Sequence, residues 1–355
     1  MPLYMDLHKA SDYDHKPTVD DIKKNHIADL AVQHKHGVRF IQYWINEEAG
    51  MVFCLMEAPD KEACAAVHAE AHGGMPCNII ELKGGDYTAV LNESSRKNAF
   101  DIVENLDGTM DTGYRTIMVV QLLSFDNHKN PANELKDIIV THQGHLLQQP
   151  GTRHTIVFPS IGRAMECAEN ILEIAGQEMT PPIEIKISIS AGLPVTEGGH
   201  LFAEAVDTAN VLCDMVKPGK VILPANAYGI MPGNKNPGQE GNIQLLNNEE
   251  EQFCSIFLKA MQSLAAKNEL YIDNLVQTLH TSRSQLYRDV KKITGLSPNA
   301  FIQEWRLQKA AQLIRQQYGN ITQVAMEAGF NNLSYFAKGF QQRFGLSPLK
   351  AAKQL

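Results

Sequence analysis

SRSQLYRDVKKITGLSP (residues 282–298) and NLSYFAKGFQQRFGLSP (residues 332–348) end in the same four letters, fifty residues apart. The repeated GLSP reads as punctuation. Glycine accepts a left-handed backbone at low steric cost and so stops a helix. Serine then caps the next helix, and proline fits its first turn, where the missing N–H is not needed. Each stretch is therefore a helix that stops, followed at once by a helix that starts.

Working outward, each of these helices follows a short one across a tight turn. The first unit pairs YIDNLVQTLH (271–280) with a helix running to about Ile293, and the second pairs NITQVAMEAG (320–329) with a helix running to about Phe344. Helical spacing turns Leu286 and Val290 inward with Leu275 and Leu279, leaving Arg283, Ser284, Tyr287, Arg288 and Lys291 outward. In the second unit Phe336 and Phe340 face the core, and Leu333, Ser334, Ala337, Lys338 and Gln341 face out. One long helix, NAFIQEWRLQKAAQLIRQQ (299–317), joins the units and offers Phe301, Trp305, Leu307, Ala311 and Leu313 for packing. Two helix-turn-helix units on a rigid bridge suit two successive major grooves, about 34 Å apart.

Residues from about 253 to 355 resemble the AraC-type DNA-binding domain, the resemblance resting on LSPNAFIQEWRLQKAAQLI and VAMEAGFNNLSYFAKGFQQRFGLSP. It implies that Ser284, Tyr287 and Arg288 approach bases from the first unit, and Leu333, Ser334, Ala337 and Lys338 from the second. Arg288 could fork onto a guanine, and Leu333 or Ala337 could touch thymine methyls. Lys291, Lys292 and Arg343 are expected to hold phosphates.

The net charge of −8 argues against a nucleic-acid partner until its distribution is read. From Ser255 onward, 13 lysines and arginines against 5 acidic residues leave +8; the remaining 19 against 35 leave −16. A basic tail on acidic domains implies a polyanion partner for the tail. No run of about 18 apolar residues could span a bilayer. The start, MPLYMDLHKASDYDHK, lacks the basic and apolar order of a secretory signal. The six cysteines (Cys54, Cys64, Cys77, Cys167, Cys213 and Cys254) are scattered without metal-knuckle spacing. They read as reduced, mostly apolar fillers, and the expected location is the cytoplasm.

Residues 1–82 read strand, helix, strand, strand, helix, strand, the ferredoxin-like order. Seven of the 13 histidines fall before residue 73. His68 and His72 stand four apart on the second helix and so share a face, the spacing a divalent metal uses. Asp6 and His8 alternate to one side of the first strand with Tyr4, and His26 lies on the first helix, so a mixed histidine–carboxylate cluster is within reach. His34 and His36 sit at a helix end, where the dipole explains them. The segment is similar to a small ferredoxin-like family described as nickel-binding, through PLYMDLH, HKHGVRFIQYW, VFCLMEAPDKEA and VHAEAHGG. That resemblance implies nickel or another divalent transition metal on His26, His68 and His72 first, with Asp6 and His8 next.

A polar connector (83–114) leads to residues 115–245, whose strands and helices repeat the α+β theme. VVQLLSFD (119–126), GTRHTIVF (151–158), KISISAGLPV (186–195) and AVDTANVLCDMVKPGKVIL (205–223) resemble a degenerate class III nucleotide cyclase. In that family two aspartates hold the metal ions; here those positions fall at Gln121 and Thr152, with Asp126 displaced. The family's Asn and Arg of the later helix fall at Asp207 and Val211. Neither an amide nor a hydroxyl supplies the anionic oxygen a hard divalent cation needs. Cyclase chemistry is therefore not expected, and the domain reads as a dimerisation module, with a retained pocket for a small ligand as the alternative. A Pro/Gly/Asn-rich stretch, MPGNKNPGQEGN (231–242), precedes the helical 246–355.

The expected architecture is α+β multidomain: two ferredoxin-like sandwich domains followed by an all-α double helix-turn-helix domain. The expected function is a sequence-specific transcription regulator, modulated by metal or a small ligand, acting as a homodimer on promoter DNA with RNA polymerase as a possible contact. The alternative is a metal-binding enzyme or residual nucleotidyl cyclase with a DNA-binding tail. Metal storage with incidental DNA binding is disfavoured by the complete pair of units.

Overall fold

The computed structural model describes all residues except 11–16, 48, 84–94, 126–131, 149–151, 176–182, 197–198, 226 and 228–240. Asp126, and most of the Pro/Gly/Asn-rich boundary stretch, lie outside the described residues. The chain is mixed α/β, with sheets first and a helical C-terminal region.

The first sheet is built from β1 (Leu3–Lys9), β2 (Arg39–Asn46), β3 (Met51–Glu57) and β4 (Asn78–Leu82), in the order β2-β3-β1-β4. Helix α1 (Val19–Val32) follows β1 and opens on a capping box in which Thr18 and Asp21 satisfy each other's backbone N–H. Helix α2 (Lys61–Ala71) follows β3 and is capped by Asp60. Alternation along β1 decides the rest. Tyr4, Asp6 and His8 face the helices, and Met5 and Leu7 join a different buried cluster on the opposite face.

The stretch expected as a connector is packed structure where it is described. A hairpin of β5 (Ser95–Lys97) and β6 (Val103–Asn105) buries Ile102 and Val103, and Ile102 bridges to Tyr43 of β2. Asp111 closes it by accepting two hydrogen bonds of 2.9 Å from the buried Arg115 guanidinium.

The second sheet comprises β7 (Arg115–Leu123), β8 (His145–Gln148), β9 (Arg153–Phe158), β10 (Glu184–Gly192), β11 (Val221–Pro224) and β12 (Ile243–Leu246). Helices α3 (Ala132–Thr141), α4 (Ile161–Ala175) and α5 (Ala203–Met215) connect them. The order β8-β9-β7-β10 repeats that of the first sheet, and β11 and β12 extend it in parallel. One face, with Met118, Val120 and Ile156, packs on α3 and α4. The other, with Ile117, Val119 and Val157, shares a core with Met5, Leu7, Phe53 and Leu55 of the first sheet and with α5. Both faces are thus covered within the chain. Pairing of protomers through this domain would have to use its edges or helices.

The C-terminal region contains α6 (Asn248–Ala266), α7 (Ile272–Thr278), α8 (Arg283–Thr294), α9 (Pro298–Arg315), α10 (Ile321–Glu327), α11 (Leu333–Phe344) and α12 (Pro348–Gln354). The punctuation is as the letters imply. Gly295 and Gly345 end α8 and α11 at φ of +72° and +77°, and Ser297 and Ser347 cap the helices that follow, each with proline in the first turn. Neither unit stands free of the second sheet's domain. Leu212, Met215, Ile222 and Leu246 share a core with Phe257, Leu275, Leu286 and Val290. Leu123 and Phe125 share another with Leu307, Phe336 and Phe340.

Arg343, expected on phosphate, turns inward instead. Its guanidinium holds Glu304 of α9 at 2.7 and 2.8 Å and Glu184 at the start of β10 at 2.7 Å, with a further short contact to Glu184. Burial lowers its pKa, but the two carboxylates outweigh that and raise it. Glu184→Gln is expected to cost about 1.5 kcal/mol, the lower end for hydrogen bonds to charged groups. The urea unfolding midpoint of the full chain reads this; an unchanged midpoint would mean that the clamp contributes nothing to docking.

Candidate metal centre and nucleic-acid interface

The first sheet and its two helices bring four donor residues together. Asp6 and Cys54 are cross-strand partners in the β1–β3 register, and the Cys54 backbone N–H donates to Asp6 Oδ1 at 3.1 Å. His68, from the inner face of α2, lies with Nε2 2.8 Å from Asp6 Oδ2. His8 stands beside it, the rings 4.6 Å apart edge to face. One ligand atom from each of Asp6, His8, Cys54 and His68 lies within 4.8 Å of the others, and all four residues are buried. A second group, Asp29, His68 and His72, meets the same limit and shares His68.

His68 occupies the centre. Its Nδ1 is 3.0 Å from Asp29 Oδ1 and its Nε2 faces Asp6, so both ring nitrogens meet carboxylates. Burial pushes the imidazole pKa down, but the two carboxylates raise it to about 10, which makes it a buried cation at neutral pH. In turn, burial pushes Asp6 up while His8 and His68 outweigh it and hold it below the usual range. Asp29 is lowered likewise, burial opposing and the His68 and His72 hydrogen bonds prevailing. Burial, with the negative charge of Asp6 and Asp29, raises the Cys54 thiol well above its ordinary value.

A cavity of about 300 Å³ opens beside this cluster, lined by His8, His26, Asp29, Tyr43, His68 and His72 among others. Among the described residues, the ring nitrogens of His8 and His26 and the hydroxyl of Tyr43 are buried without a hydrogen-bond partner, His8 standing 3.5 Å from Asp6 and His26 3.6 Å from Asp101. Buried polar atoms are ordinarily satisfied, so loosely held groups around one cavity are available as donors to a ligand. The donor set fits a metal: carboxylate, imidazoles and a thiol suit borderline ions such as zinc, nickel or copper.

Of the residues expected to ligate, Asp6, His8 and His68 converge, and His72 joins through Asp29 at 3.3 Å. His26 does not enter either group; its Nε2 lies 3.6 Å from Asp101 across the cavity. Sequence reasoning passed over Cys54 and Asp29. The findable signals were the strand pairing, which sets Cys54 opposite Asp6, and helical spacing, which sets Asp29 one turn beyond His26. His36 caps the end of a short helical turn, as expected, and also meets Glu70 at 2.8 Å.

In the helical region the expected outward residues are outward. Arg283, Ser284, Tyr287, Arg288 and Lys291 on α8 are exposed, as are Leu333, Ser334, Lys338 and Gln341 on α11, with Ala337 half-buried. Leu286, Val290, Phe336 and Phe340 form the buried sides. Lys291 reaches the Tyr287 hydroxyl at 3.1 Å, while Lys292 pairs with Glu250 of α6 at 2.6 Å.

Where cyclases are expected to hold metal, Gln121 on β7 and Thr152 in the turn just before β9 are buried. The Gln121 amide accepts from Arg153 at 3.2 Å and donates to Gln308 of α9 at 3.4 Å. A guanidinium at that position repels a dication. Asp207 is exposed and Val211 partly buried on α5.

Comparison with known proteins divides the chain as its folds do. The family described as "Helix-turn-helix domain" matches residues 275–354, and "Nickel responsive protein SCO4226-like" matches 4–82. The HTH-type transcriptional regulator MtrA of Neisseria gonorrhoeae is 36% identical over 88 residues, which is 25% of this chain and 29% of that protein. SCO4226 from Streptomyces coelicolor A3(2) is 35% identical, covering 23% of this chain and 96% of that one, with a TM-score of 0.21. An adenylate/guanylate cyclase/hydrolase from Silicibacter pomeroyi is 18% identical, covering 33% and 78%, with a TM-score of 0.28. The chain spans from 7% to 39% of the length of the first curated relatives it matches.

Proposed function

We propose that this chain, whose residues 4–82 are SCO4226-like and whose residues 275–354 are an AraC-type helix-turn-helix domain, is a transcription regulator that reads duplex DNA and answers to a transition metal. The observation that carries the reading is the pair of exposed faces, on α8 and α11, each on a capped helix at the second position of its unit. Arg283, Ser284, Tyr287, Arg288 and Lys291 form one face, and Leu333, Ser334, Ala337, Lys338 and Gln341 the other. We read the two sheet domains as ferredoxin-like and the second as having lost cyclase chemistry, with Gln121 and Thr152 where anionic ligands would be needed and the Arg153 guanidinium against Gln121.

Asp6, His8, Cys54 and His68 would hold the metal, with nickel the first choice, and His72 and Asp29 support them. His26 faces the same cavity and is available to whatever enters it. A bound cation would supply positive charge between Asp6 and Asp29, the role His68 fills as an imidazolium. A regulator needs the metal to favour one DNA-binding state over another by only about 1–3 kcal/mol.

Selection of duplexes from a random pool by the full chain, with and without nickel, tests the whole reading. The expected result is one site with two contacted segments about one helical turn apart, and enrichment that changes with nickel. Recovery of no preferred sequence at low salt would end the regulator reading. For the metal, His8→Ala removes a ligand whose contact with Asp6 is a loose 3.5 Å. It is expected to abolish nickel uptake measured by calorimetry while leaving the circular dichroism spectrum unchanged. Uptake equal to the parent's would remove His8 from the site.

A further inference from the structure

A second cavity, of about 580 Å³, lies between the second sheet's domain and α9. Its walls come from the start of β9, from α5 and α6, and from the outer side of α9. That volume is in the range of small-molecule sites, about 300–1,000 Å³. Three cations line it: Arg153, Lys309 and Arg315. Lys309 pairs with Glu327 at 2.9 Å, which leaves Arg315 without a carboxylate among the described residues. Asp214 pairs with Arg153, whose Nε is nevertheless buried without a partner among the described residues.

Arg315 is the informative residue. It is half-buried, and its guanidinium donates to the Ser124 carbonyl, a neutral group, with no carboxylate paired to it among the described residues. Burial has pushed its pKa down, which marks a charge removed from water without a counterion. A desolvated guanidinium keeps its proton and attracts an anion, preferably one its planar fork can grip through two oxygens. The cavity wall also carries Asn210, Gln308 and Gln312, amides that can both donate to and accept from a polar ligand body.

We propose that this cavity binds a small organic anion bearing at least two phosphate or carboxylate groups, gripped by Arg315 and Lys309 from α9 and by Arg153 from β9. Such a ligand would tie the sheet domain to the helix that joins the two reading units. The site is separate from the metal cluster, and its occupancy does not depend on the regulator reading.

The measurement is direct because the chain has two tryptophans: Trp305 lines the cavity, and Trp44 is buried in the first domain. Metal-free full-length protein is titrated with pyrophosphate in one arm and glutarate in the other, at ionic strength held constant with sodium chloride. The expected result is a saturable change in Trp305 emission in at least one arm, weakened at least tenfold by Arg315→Gln and less by Arg315→Lys, which keeps the charge but loses the planar fork. The responding arm identifies the anion class. Phe substituted for Trp44 is expected to leave the response in place. The proposal is overturned if neither anion gives saturation, or if Arg315→Gln binds as the parent does, which would locate the anion on the exposed basic faces of α8 and α11.

Discussion

Replacing His68 by alanine is expected to lower the unfolding free energy of the metal-free chain by about 3–5 kcal/mol, the cost of leaving a buried charge without its partner. The side chain is 1% exposed and bridges Asp6 and Asp29, themselves 0% and 3% exposed. Its removal strands two buried carboxylates without the cation between them. The control is to neutralise them as well. Asp6→Asn and Asp29→Asn added to His68→Ala should recover part of the loss, because the cost lies in unpaired charge rather than in lost packing. A His68→Ala variant that unfolds within about 1 kcal/mol of the parent would show that the bridge carries little stability.

The same bridge gives the pH dependence a definite sign. His68 has its pKa raised from 6.5 to about 10, so its contribution is complete below 6.5 and is lost as pH rises through about 10. Asp6 and Asp29 are held below their ordinary 3.8, so theirs is complete above 3.8 and is lost as pH falls through the lowered values. The metal-free first domain is therefore most stable between about pH 4 and pH 6.5, and weakens in alkali as well as in acid. Urea midpoints across that range read it.

What could be read from the letters was local, and what could not was long-range. Ser297-Pro298 and Ser347-Pro348 announce helix starts because capping and proline tolerance act within four residues. The inward and outward sides of α8 and α11 follow from helical period alone. His68 and His72 declared themselves because they share one helix. Cys54 did not, since its meeting with Asp6 needs the β1–β3 register, and a lone cysteine in an apolar strand looks like filler. β8, only four residues long, was invisible for a related reason: HLLQ has no period to detect. Arg343 looked like a phosphate ligand because its charge is visible in sequence, while Glu184, its partner 159 residues away, is not.

Arg288→Ala combined with Lys338→Ala is expected to weaken binding to the selected operator by about 2–6 kcal/mol, the sum of 1–3 for each side chain. Additivity is the informative part. The two residues sit on different units, each packed into its own core, so neither truncation reaches the other through shared contacts. Arg288 is held by Gln285 on the same helix, and Lys338 makes no ion pair among the described residues, so neither removal should destabilise the fold. Arg288→Ala should relax preference at one base step near one end of the site, and Lys338→Ala near the other, about one helical turn away. The parent should lose affinity steeply between 50 and 200 mM salt as condensed counterions are released. If both losses map to the same base step, or if one variant leaves affinity and preference untouched, only one unit engages DNA. The second face would then be an exposed basic surface with no reading role.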